Sequence, residues 1–525
     1  MDSNSKRKTG RLIVIALDMG DGRLIRHWAG AGHLPQLRKL IAEGSWLDLE
    51  SPAEVLHTST WPTFATGTLP GRHGVYYPFQ PKVGYQQAQH IQPDGYGVPS
   101  FWSLADRHGR RCLVFDVPET FAEAGFKGQA IFEWGTWAWY GEQASQPQGL
   151  LAELRSQLGS YPLGIEALRL GLGRPRSALL EERLPKSVAH KLHALQWLSG
   201  RGNWDLVVAS FCETHPASHY LWPAGVADVA GSDDNRFGAL RAVYVAIDNA
   251  IGALRAQLPG DSTLMVVSGD GVRPNHAGWH LLPTVMERLG YVNAGADAGG
   301  RTARPTSLLG FIKGLVPPRA RRMIADNLPV GLRNKLGEHL QTSQIDWSRT
   351  RAFTLPTDLE GYIRINLRGR EPEGTVERGA EYDALCADIQ VKLGGLINPA
   401  TGRPAVRKVW RCREVFPGPR TEQLPDLVVS WNDEAPIESL AAPGMKTVAE
   451  TSPDPRTGTH STSGFLLACG PGIPAAQRSS GHLVQIAPTI LRLLGVEGEL
   501  GLDGRPIDFS APTPSAGSRH ALAGG

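Results

Sequence analysis

Short apolar runs recur along the chain, separated by longer amphipathic stretches. RLIVIAL (11–17), RCLVFDV (111–117), DLVVASF (205–211), TLMVVSG (263–269), DLVVSW (426–431) and GFLLACG (464–470) are rich in Val, Leu and Ile, and two of them end in Gly. Such lengths and residue types predict strands. Their apolarity is continuous rather than alternating, which predicts strands covered on both faces, as in a parallel sheet. Between them, LPQLRKLIAEG (34–44), SFWSLADRHG (100–109), RFGALRAVYVAIDNAIGALRAQL (236–258) and TVMERLGY (284–291) have helical spacing, and several stop at glycine. The fold class expected is α/β, a three-layer sandwich around a mostly parallel sheet. We place the core at 10–300 and 415–510, with a helix-rich insertion at about 140–200. An inserted cap and small-sheet region occupies 301–414, and 511–525 has the composition of a disordered tail.

Composition narrows the function only a little. The 525 residues are 41% hydrophobic and 20% charged, enough for one large core with insertions or for several domains. A net charge of +3, from 54 basic and 51 acidic residues, implies no nucleic-acid-binding module and no membrane surface as partner. The basic segment with Arg319, Arg321, Arg322 and Arg333 reads as a solvated helix face. Five scattered cysteines without CxxC spacing argue against a disulfide framework or a thiolate zinc site, and with the polar N-terminus they lead us to expect a cytoplasmic protein.

Chemistry concentrates at strand ends. Asp18 follows the first run, and HTSTWPTFATGTLPGRHGVYYP (57–78) supplies a hydroxyl cluster before an apolar helix. Glu213, His215 and His219 follow the third run; in a helix the i, i+4 histidines share one face and suit a divalent transition metal. Asp270 follows the fourth run, where a turn aspartate is an equal alternative, and His460 precedes the last.

In this order the segments resemble the alkaline phosphatase superfamily, closest to its type I phosphodiesterase and nucleotide pyrophosphatase branch. LDMGDGRLIRHWAGAGHLPQLRKLIAEG, WPTFATGTLPGRHGVYY, VVSGDGVRPN and GTHSTSGFLLACGPGI carry the resemblance, which spans about Arg11 to Ile507. It implies a metal-dependent phosphoester hydrolase acting on a small phosphorylated substrate through a phospho-Thr or phospho-Ser intermediate. One or two divalent ions are implied, zinc first, with manganese or magnesium compatible. The implied roles are Asp18 as ligand of the metal that activates the nucleophile, and Glu213, His215, His219, Asp270 and His460 as further ligands.

Three departures stand out, the first being His215 in the place of the aspartate in the relatives' Asp-x-x-x-His, with Glu213 before it to restore the negative charge. Counting ten residues back from Gly67 lands on His57, so the nucleophile is Thr58 first, with Ser59 close behind and Thr60 a weaker choice. Gly269 and Asp270 stand where relatives carry Asp and His, which thins the second metal site. A formylglycine sulfatase is disfavoured, since no Cys or Ser followed by x-Pro-x-Arg lies near the nucleophile. Phosphomonoesterase, phosphonate hydrolase, phosphomutase and a phosphate-ligand-binding homologue without turnover are the alternatives. Neither substrate nor oligomeric state is legible.

Overall fold

The computed structural model describes residues 10–81, 87–89, 96–135, 143–163, 176–229, 234–293, 345–498 and 500–510. The basic segment's four arginines and the tail 511–525 lie outside these.

A nine-stranded sheet forms the centre. From edge to edge its strands are Gln477–His482, Ser45–Glu50, Gly464–Cys469, Thr263–Ser268, Leu12–Leu17, Leu206–Phe211, Cys112–Phe115, Gln129–Phe132 and Ala144–Gln146. The five strands from Thr263–Ser268 to Gln129–Phe132 pair in parallel, and antiparallel pairings flank them. Leu12–Leu17 shows why its sequence is apolar throughout. Ile13, Ile15 and Leu17 enter one core with Trp28, Leu37 and Val243, whereas Leu12, Val14 and Ala16 enter another with Phe64 and Ile486. Alternate side chains leave opposite faces of a strand, and helices cover both faces. The helix Gly238–Arg255 buries Leu240, Val243, Ile247 and Ile251 against the first core, which accounts for its apolar length.

A second body contains a four-stranded antiparallel sheet, Ala352–Leu355, Gly361–Ile365, Leu427–Trp431 and Val406–Arg411, packed with the helix Ala380–Gly394. Leu427–Trp431 therefore corrects the parallel-sheet expectation for DLVVSW. It is apolar on both faces because Leu427 and Val429 enter one core and Val428 another, with no parallel partner needed.

Because the central strands run in parallel, their carboxyl ends lie along one edge. Asp18, Glu213 and Asp270 all follow such ends, at the place where open α/β sheets bind ligands.

Candidate functional site

Cys212 and Glu213 link the strand Leu206–Phe211 to the helix Thr214–Leu221, which carries His215 and His219 with ring centroids 4.6 Å apart. The strand Gly458–Ser461 pairs antiparallel with Gly271–Pro274, setting His460 opposite Val272 and 5.2 Å, ring to ring, from both histidines. One ligand atom from each of the three lies within 4.8 Å of the others.

The Nδ1 atoms of these rings all have oxygen partners. His215 Nδ1 is 2.7 Å from Asp18 Oδ2, His219 Nδ1 2.8 Å from the Gly458 carbonyl, and His460 Nδ1 2.6 Å from Asp270 Oδ2. A histidine donating through Nδ1 binds a metal through Nε2, and oxygen partners of this kind orient the ring. Burial, reinforced by neighbouring cationic groups, holds His219 and His460 well below the usual imidazole range, so both are neutral as ligation requires. Three nitrogen donors in this arrangement fit a divalent cation such as zinc.

Asp18 is tied on both oxygens, since Trp61 Nε1 donates to Oδ1 at 3.0 Å. Burial alone would raise its carboxyl, but His215 outweighs it and lowers it. Burial, with the Asp18 charge beside it, pushes Asp270 up to about 8.

Glu213 is a correction. It is fully buried away from the histidines, accepting from Tyr161 OH at 2.7 Å and standing 3.6 Å from Lys191 Nζ. A step of two residues along a helix turns about 200°, so a side chain two positions before His215 leaves the opposite side. Lys191 also stands 2.8 Å from Asp116, so its single positive charge is shared between Asp116 and Glu213.

The hydroxyl cluster also separates. His57–Ser59 is a single tight turn leading into the helix Thr60–Thr66, which Gly67 ends in a left-handed conformation at φ 62°. Thr58 is partly exposed and lines the cavity. Ser59 is fully buried, donates to the Val75 carbonyl at 2.6 Å and does not line the cavity. The Thr60 hydroxyl donates to the His57 carbonyl at 2.7 Å. Its methyl group packs against Gly269: a Cβ there would come within 2.2 Å of Thr60 Cγ2 and 2.8 Å of a Leu483 methyl.

Sequence reasoning missed three groups. His57 is buried, 3.1 Å from Thr58 Oγ1 through Nε2 and 2.6 Å from Glu360 Oε2 through Nδ1. Asp358 Oδ1 stands 3.4 Å from its Nε2, and the His460 ring centroid is 4.7 Å away. Burial disfavours the charged ring, yet Glu360 and Asp358 outweigh it and push His57 up to about 10. Glu119 and Glu133 also line the cavity, just past the strands Cys112–Phe115 and Gln129–Phe132. Their place after parallel strands was the signal that could have found them. Asp358 and Glu360 come from the second body, three hundred residues from His57, and no spacing announces them.

Thr58, Asp18, Asp270, His57 and the three histidines share one cavity of about 510 Å³. Tyr77, Tyr220 and Trp279 form an aromatic part of its wall, and Arg176, whose guanidinium donates to Tyr220 OH at 2.9 Å, joins them. The cavity combines a cluster of three nitrogen donors, a threonine hydroxyl and room for an organic group.

Comparison with solved structures finds murine ectonucleotide pyrophosphatase/phosphodiesterase 5, at 10% identity and TM-score 0.47, over 93% of this chain and 95% of that one. Phosphonoacetate hydrolase from Sinorhizobium meliloti 1021 is also similar, at 13% identity and TM-score 0.48, over 93% and 96% of the two chains. No curated protein matches the sequence. The model of the type I phosphodiesterase/nucleotide pyrophosphatase family matches residues 12–308, more than half of the 525, and the chain belongs to that family.

Proposed function

We propose that the protein is a metal-dependent phosphoester hydrolase, acting on small phosphodiesters through a covalent phospho-threonine on Thr58. The observation that carries this reading is the Thr58 hydroxyl sharing a cavity with three histidines whose Nδ1 atoms all have oxygen partners. His215, His219 and His460 would hold the cation, and three nitrogen donors favour zinc. When bound, a divalent cation there neutralises charge on the phosphoryl oxygens.

The protein's own groups do the rest. Thr58 Oγ1 forms the bond to phosphorus as the bond from phosphorus to the leaving oxygen breaks, the hydroxyl proton ending on the departing alcohol; water then adds its oxygen to phosphorus, the bond to Thr58 Oγ1 breaks, and a water proton regenerates the hydroxyl. His57 Nε2, beside Thr58 Oγ1, faces the oxygens on which negative charge gathers. Trp61 and His215 fix Asp18, and Asp270 fixes His460, so the cluster is preorganised. The aromatic wall of Tyr77, Tyr220 and Trp279 gives the second ester group of a diester an apolar place.

The test is hydrolysis of bis-p-nitrophenyl phosphate and of p-nitrophenyl phosphate by the full chain, after adding zinc or manganese and again after chelation. Faster turnover of the diester, lost on chelation and restored by metal, is the expected result. Activity that survives exhaustive chelation contradicts the metal mechanism, and a faster monoester contradicts the diester reading.

A further inference from the structure

We propose that this centre takes a single cation, on His215, His219 and His460, and that the imidazole of His57, oriented by Glu360, stands in the place of a second one. The inference rests on the cation-dependent reading above and deepens it.

The ligands of a second site would have to come from Asp18, Asp270, position 269 and the hydroxyl turn, of which Asp18 is engaged on both oxygens, Asp270 on one, and position 269 has no donor. Asp18 and Asp270 direct one oxygen each to a histidine Nδ1, at 2.7 and 2.6 Å. The remaining oxygen of Asp18 accepts from Trp61. These are the contacts of carboxylates that orient metal-binding histidines, a role distinct from coordinating a metal themselves. Position 269 has no side chain. It has no space for one either, because the Thr60 methyl and Leu483 press against it. An aspartate at 269 would require the helix start at Thr60 to move.

The same turn brings in another group. His57 lies buried next to Thr58, with Nε2 3.1 Å from the hydroxyl and its ring 4.7 Å from that of His460. Glu360 grips Nδ1 at 2.6 Å, and Tyr362 OH donates to the same Glu360 oxygen at 3.3 Å. A hydrogen-bonding ring is thereby fixed on the hydroxyl, beside the three-histidine cluster. Counting His, Cys, Asp and Glu side chains alone, His215, His219 and His460 are the one group of three among the described residues close enough to share an ion. Glu360 acts through His57 and is a positioning residue, whereas His57 touches the reacting hydroxyl.

The experiment is metal stoichiometry of the full chain, loaded with zinc, freed of excess and measured by elemental analysis against protein concentration. One zinc per chain is expected, falling to none in His219→Ala. Two per chain overturns the inference while leaving the hydrolase reading intact; none in the loaded wild type overturns the reading it rests on. A second arm uses His57→Gln, which should keep one zinc per chain and lose about 100-fold in kcat, with a smaller change in KM. Glu360→Gln should keep its zinc and lose about tenfold in kcat, with an altered pH profile. Wild-type kcat in His57→Gln, or loss of its zinc, overturns the role given to His57.

Discussion

The two sides of the cavity treat the same kind of residue differently. On one side, His215, His219 and His460 come from a helix and a strand pinned to the main sheet, and each Nδ1 has a partner. Around Thr58, the Thr60 methyl and Leu483 press against Gly269 and the Thr60 hydroxyl donates to the His57 carbonyl, so position 269 has neither a side chain nor space for one. Motif order is thus preserved along the chain while, as proposed, His57 replaces one half of the motif's chemistry. A retained sequence pattern guarantees the scaffold, but the number of ions depends on individual contacts.

The strongest way to break this contrast is at the hydroxyl between the two sides. Thr58→Ala should lower kcat by about 1,000-fold or more, because the covalent route disappears. Ser59→Ala should keep activity within a few fold and lose about 1 kcal/mol of stability, the worth of its buried hydrogen bond to Val75. If Ser59→Ala is the inactive variant, the hydroxyl assignment is wrong. Activity on bis-p-nitrophenyl phosphate and urea unfolding of both variants check this.

A smaller effect sharpens the packing argument. Gly269→Ala should destabilise by about 1–3 kcal/mol through overpacking against Thr60. Adding Thr60→Ser, which removes the offending methyl, should recover part of that loss. Strictly additive effects in this cycle would show that the two positions do not press on each other.

The smallest effect concerns pH. His57 rises from an ordinary 6.5 to about 10 in the folded chain, so its pairing with Glu360 stabilises fully below pH 6.5 and is lost as pH rises through 10. The stability gap between metal-free wild type and metal-free His57→Gln should accordingly be widest near pH 6 and narrow towards pH 10. A gap that widens with pH would reverse the sign and refute the pairing.

Much of this was readable from residues in order. Asp18, His215, His219, Asp270 and His460 stand next to apolar strands, and strand ends are where such sheets do chemistry. Glu213 misled because closeness along the chain was weighed without the helical turn that carries it away. Thr58 and Ser59 were inseparable until the tight turn at His57–Ser59 showed which hydroxyl faces the cavity. His57 was counted to but passed over, since its partners Asp358 and Glu360 arrive through a tertiary contact that no local pattern encodes. The antiparallel setting of Leu427–Trp431 was hidden for a related reason: burial on both faces writes the same apolar run whatever the direction of the neighbours.

The central claim is one cation held by three histidines, and an anomalous-difference map from a crystal of the zinc-loaded protein tests it most directly. The account predicts a single peak bounded by Nε2 of His215, His219 and His460, with Asp18 and Asp270 still on the Nδ1 atoms of His215 and His460. A second peak between Asp18, Asp270 and Thr58, or a single peak there alone, would contradict it.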